Sequence, residues 1–133
     1  NMYSPEEKFG KGSLAPVFTN KAVPVRTLKV DSLVREIGLR KVDMIKIDVE
    51  GFESHVFKGA IELLGREDAP DIIFEFVDWA EKEAGEAIGS SQQILRDMGY
   101  RIFYFNETGT MREVNEVLKE GFFMLFATKK NIS

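Results

Sequence analysis

The chain contains no cysteine, a single histidine and a single tryptophan among its 133 residues. Without cysteine there can be no disulfide, no thiolate metal ligand and no cysteine nucleophile, and the composition suits a reducing, cytoplasmic setting. An excess of positive charge is also lacking. The formal net charge is −4, so no broad basic field is present to hold a nucleic-acid backbone or an anionic membrane surface, and neither is expected as a partner. A small, weakly charged substrate fits better. Long apolar runs are missing too: stretches such as Phe122 to Ala127 are far too short to cross a bilayer as a helix, and the N-terminus has no basic-then-apolar signal pattern. What the chain does have is 44% hydrophobic residues, enough for the core of one domain.

Residues 1–22 are loop-rich: Asn1 to Thr19 mixes Pro5, Gly10, Gly12 and Pro16 with charges and has no period. An α/β core is expected over residues 23–133. Val23 to Val30 (VPVRTLKV) alternates loosely, as a strand would, and Asp31 or Ser32 can then cap a short helix carrying Leu33, Val34 and Ile37 and stopped by Gly38. Asp43 to Val49 (DMIKIDV) sets Ile45, Ile47 and Val49 on one face and Lys46 and Asp48 on the other, which predicts a strand. Gly51 permits a sharp turn, after which Val56, Phe57, Ala60, Ile61 and Leu64 recur at helical spacing as far as Gly65. Asp71 to Val77 (DIIFEFV) has strand length again, so a βαβ unit with parallel strands is expected. Ser90 or Ser91 can cap a further helix through Ile94, Leu95 and Met98, ended by Gly99 before a strand Tyr100 to Phe105 that continues the parallel sheet. A short helical pattern spans Met111 to Lys119, and Phe122 to Lys129 reads as a last strand.

Lys46 and Asp48 are out of place in a strand expected to be buried on both faces, because buried charges need partners. Period-two geometry sends Lys46, Asp48 and Glu50 to one side, and the neighbouring strand offers Glu75. The four are expected to meet beyond the carboxyl ends of the strands, where open α/β sheets bind ligands, and near the N-terminus of the helix that starts at Glu53. A carboxylate crowded by others has a raised pKa, so the group can supply a general base for a substrate hydroxyl. It can equally hold a divalent cation through oxygen ligands. The purely structural alternative is a Lys46 ion pair with Glu75 or Asp48 that ties strands together. Glu53 reads as an ordinary first-turn acid. His55 sits opposite the apolar helix face, near Lys58 and Glu62, and is expected to be exposed. Gly10-Lys11-Gly12-Ser13 lacks the spacing of a phosphate loop. Trp79, following the Glu75 strand, is either core cover or a pocket wall.

VDMIKIDVEGFE (Val42 to Glu53), FKGA (Phe57 to Ala60), IIFEF (Ile72 to Phe76) and the upstream DSL (Asp31 to Leu33) together resemble the FkbM-type methyltransferases. The resemblance covers most of the chain from about Val23 onward; KIDVEGFE is its most specific string. It implies the C-terminal part of a Rossmann-like class I methyltransferase sheet, mostly parallel with an antiparallel last strand. DMIKIDV would be the fourth strand, DIIFEFV the fifth, and the last two strands an antiparallel pair. It also implies methyl transfer from S-adenosylmethionine to oxygen, on a sugar or small natural product. Lys46, Asp48, Glu50, Glu53 and Glu75 match the family's motif positions, and the catalytic group is taken as Lys46, Asp48, Glu50 and Glu75. Asp48 is also the one position of this chain assigned to the cofactor. No strand ends in a glycine-rich turn and no acidic residue follows at a ribose-binding position, so the main cofactor site is expected outside the chain, leaving 1–133 a single partial domain, inactive alone. The missing half would leave an open edge on the DMIKIDV strand, filled by Val23 to Val30 folding back or by a second copy of the chain. A divalent metal is not expected. Two rival functions remain: a non-catalytic interaction module that retains the fold, and a metal-dependent hydrolase using Asp48, Glu50 and Glu75 as oxygen ligands.

Overall fold

The structure is a computed structural model that describes residues 1–3, 14, 16 and 19–132. Most of the expected lead-in, with the Gly10 to Ser13 loop, lies outside the described residues. Two short strands, β1 (Met2–Tyr3) and β2 (Ala22–Val23), pair antiparallel. Next come α1 (Val30–Glu36), β3 (Met44–Ile47), α2 (Glu53–Lys58) and α3 (Ile61–Leu64). β4 (Asp71–Val77) and α4 (Asp78–Glu83) follow, then α5 (Ser90–Asp97), β5 (Arg101–Phe105), β6 (Met111–Glu113) and β7 (Phe122–Thr128).

The main sheet is five-stranded in the order β3-β4-β7-β5-β6. β3 and β4 run parallel, with Lys46 opposite Ile73 and Ile47 opposite Phe74, as the βαβ pattern requires. β5 does not hydrogen-bond to β4. The last strand inserts between them, antiparallel to both, with Glu75 opposite Met124 and Phe103 opposite Phe126. The sheet is therefore mixed, with one parallel pairing, and the parallel continuation expected at Tyr100 to Phe105 is corrected. β5 and β7 do form the antiparallel pair that the family resemblance implies.

Alternation along β4 shows why the helices lie where they do. Ile72, Phe74 and Phe76 are wholly buried, while Ile73 and Glu75 between them are only partly so. The buried row packs beneath α2, where Phe57 meets Phe74 edge to face at 5.5 Å, and the core continues to Leu64, Leu95, Ile102 and Leu125. The opposite face of the sheet carries Ile73, Glu75, Phe105, Met124 and Phe122, the last three exposed.

Further expectations are overturned. Val23 to Val30 is not a strand: past β2 it runs exposed until α1 begins, paired with no strand among the described residues, because β-propensity alone does not form a ladder. It does not cover β3, which has no strand on its outer side among the described residues. Met111 to Lys119 is not a helix; Met111 to Glu113 forms β6, held in a hairpin by an Asn106 side chain that accepts the Thr108 and Thr110 N–H groups at 3.1 and 2.8 Å and by an Arg101–Glu113 pair at 2.7 Å. The helix expected from Glu53 to Leu64 is broken after Lys58. The Asp31 N–H donates to the Gly59 carbonyl at 3.0 Å, and the Asp31 carboxylate accepts the Glu62 and Leu63 N–H groups at 2.9 Å each, starting α3 afresh. Asp31 thus caps α3, and α1 begins after Lys29 with no side-chain cap.

Candidate functional site

β3 ends at Ile47, and the chain then turns sharply through Val49, Glu50, Gly51 and Phe52, with the Phe52 N–H donating to the Val49 carbonyl at 3.4 Å. Both central residues have positive φ, 53° at Glu50 and 95° at Gly51, the pattern of a type I′ turn. Only glycine fits the second position: a Cβ on Gly51 would lie 2.2 Å from the Ala80 carbonyl oxygen. The turn therefore backs directly onto α4.

Glu53 opens α2, yet it is 2% exposed and its carboxylate accepts the Val49 N–H at 3.0 Å, closing the turn from behind. Burial raises its pKa and this hydrogen bond opposes the rise. An ordinary exposed first-turn acid it is not.

The structure brings the four candidate residues to one end of the β3–β4 pair. Lys46 and Asp48 form an ion pair at 3.2 Å, both largely exposed, so the pairing that the structural alternative foresaw is made with Asp48. Glu75 is half-buried on β4 and, among the described residues, has no ion-pair partner. Its burial, followed by the charges of Asp48, Glu50 and Glu53, pushes its pKa up to about 7, against a smaller opposing effect of Lys46. Glu50 reaches this end of the sheet through the I′ turn, not through a continuing strand. Beside this group, on the same open sheet face, lies an apolar cavity of about 480 Å³ lined by Ile73, Phe105, Met111, Phe122, Met124 and Phe126. Glu75 is the direct cross-strand neighbour of Met124 in that lining.

The residue-type patterns outside this group carry less. His55 is exposed, as expected, but its partners are Glu86, 3.4 Å away, and through it Lys58 at 2.8 Å; Glu62 instead pairs with Arg35. Trp79 lies on α4 and is about half exposed. Among the described residues no group of three or more His, Asp or Glu side chains is disposed to hold a metal ion, and no helix is long and apolar enough to cross a membrane. Sequence reasoning missed Glu81. It is 1% exposed and accepts the Gly89 and Ser91 N–H groups at 2.5 and 3.1 Å, the capping role expected of Ser90 or Ser91. Nothing in the local sequence signals a cap supplied from eight residues upstream.

The sequence model of the methyltransferase FkbM domain matches residues 3–102. The chain belongs to that family. No curated protein and no solved structure matches it. The matched span contains Lys46, Asp48, Glu50, Glu53 and Glu75, with the I′ turn and α4 on which it rests, and stops within β5.

A methyltransferase of this family generally uses S-adenosylmethionine. The described residues do not fit that cofactor by themselves. The one glycine turn that follows a strand of the main sheet into a helix, at Gly51, is filled by the Ala80 carbonyl, and the first N–H groups of α5 are taken by Glu81. No described strand end offers a glycine-rich approach for the cofactor's backbone contacts.

Proposed function

We propose that the chain is the C-terminal, acceptor-side part of an S-adenosylmethionine-dependent O-methyltransferase acting on a hydroxyl of a sugar or small natural product. Membership of the FkbM family supports methyl transfer. The observation that supports oxygen as the acceptor is Glu75, a half-buried carboxyl group poised at about 7 beside Asp48 and Glu50. A general base works best when its pKa lies near the operating pH. Asp48, already paired with Lys46, is the weaker candidate of the two.

In this reading Glu75 accepts the proton of the acceptor hydroxyl, leaving the oxygen as nucleophile. Lys46 and Asp48 set the charge around it, and Glu50 approaches from the turn. Much of the rate then comes from holding the oxygen in line, as in any bimolecular displacement. The donor's cradle comes from polypeptide beyond the described residues, and the outer edge of β3, which no described strand pairs, is where such a strand, or a second copy of the chain, would add. A cytoplasmic setting agrees with the absence of cysteine.

The test is methyl transfer by the intact enzyme from methyl-labelled S-adenosylmethionine to a panel of hydroxylated sugars and natural products. The label is expected in an O-methyl ether, and lost in Glu75→Gln. Label confined to nitrogen or carbon would contradict the assignment.

A further inference from the structure

The turn after β3 places a glutamate where one is seldom found. In type I′ turns both central residues have positive φ, and glycine, asparagine and aspartate dominate there because a longer side chain gains no local hydrogen bond to offset the left-handed backbone. Glu50 holds φ 53° all the same, the only residue other than glycine with positive φ among the described residues. Such strain persists only where the surroundings over-determine it.

Three features do so here. Gly51 is pressed against the Ala80 carbonyl, which fixes the turn's depth. The Phe52 N–H closes it onto Val49. The Glu53 carboxylate, buried to 2% exposure, accepts the Val49 N–H at 3.0 Å, from the first position of the turn. A charged group buried for backbone support alone is costly when a neutral acceptor could serve. Its placement next to the strained residue links the two.

We infer that Glu53 is a positioning residue that acts through Glu50: by anchoring Val49 it holds Glu50 in its left-handed conformation at the end of β3, within the acidic group that includes Glu75. This rests on Glu75 serving as the base, yet none of the readouts below requires methyl transfer, so either reading can fail without the other. Glu50 tunes the base, and Glu53 holds Glu50.

Two conservative variants separate reach from charge. Glu53→Gln keeps an acceptor oxygen at full length, whereas Glu53→Asp keeps the charge but falls short of the Val49 N–H. Amide hydrogen exchange followed by NMR should show Val49 exchanging at least about tenfold faster in Glu53→Asp and within about threefold of wild type in Glu53→Gln. In the carbon-detected titration of the Glu75 carboxyl, Glu53→Asp should lower the midpoint more in the wild-type background than when Glu50 is already replaced by glycine, where only the direct effect of the Glu53 charge remains. Glu50→Gly itself should raise the denaturation midpoint, because glycine takes positive φ without strain. Equal Val49 exchange in the two Glu53 variants, or the same Glu75 shift with and without Glu50, would overturn the inference. So would a destabilised Glu50→Gly.

Discussion

Lys46, on β3, pairs with Asp48 just past the strand's end at 3.2 Å, and Glu75 on the neighbouring β4 is left, like Glu50, without an ion-pair partner among the described residues. Burial, and after it the neighbouring carboxylates, make the folded protein hold the Glu75 proton more tightly than the unfolded chain does. Its contribution to stability is fully present below the ordinary glutamate value of 4.5 and is lost as pH rises through about 7. Urea unfolding of wild type and Glu75→Gln should show the variant gaining relative stability between about pH 5 and about pH 8. A pH-independent difference between the two would mean that Glu75 titrates normally.

Gly51 cannot carry a side chain. Gly51→Ala adds a Cβ against the Ala80 carbonyl and places it on a left-handed backbone. A loss of about 2–4 kcal/mol is expected from the denaturation midpoint, combining overpacking with left-handed strain. A loss below about 0.5 kcal/mol would show that the turn can move away from α4 freely.

Asp31, the second residue of α1, links two helices through its carboxylate, which caps α3. Asp31→Ala should cost about 1–2 kcal/mol and Asp31→Asn less, because the amide keeps one acceptor oxygen. Equal costs for both would point to charge, not capping, as the source.

The described residues lack a glycine-rich approach for the donor, so the 133-residue chain should bind S-adenosylmethionine with a Kd weaker than about 1 mM by titration calorimetry. Saturable binding at low micromolar concentration would place the cofactor site within this chain.

Much of the architecture is legible in the sequence wherever burial enforces a period. Ile45 and Ile47, the Ile72-Phe74-Phe76 row, and Ile94 with Leu95 all lie in the elements that their spacing predicts. Legibility fails where a distant partner decides. Val25 and Leu28 have strand propensity, yet no described strand pairs with them. Val114 and Leu118 suggest a helical face, yet the Asn106 turn and the Arg101–Glu113 pair draw the preceding residues into β6. Caps show the same limit: Asp31 and Glu81 serve helices far from their own positions, which no local pattern records. In the candidate site, the charges of IKIDVEG and Glu75 can be read as one group from strand period alone. The unequal standing of Asp48 and Glu75 cannot, because it depends on how deeply β4 buries Glu75 and on Lys46 pairing with Asp48.

The most direct test of Glu75 as the base is the pH profile of methyl transfer by the intact enzyme and its Glu75→Gln variant. The wild-type rate should rise through about 7. The variant should lose that limb and about 10²–10⁴-fold in kcat, with the donor's KM changed by less than about threefold. A Glu75→Gln enzyme that turns over at the wild-type rate with the wild-type profile would contradict the assignment and leave the acidic group a structural one.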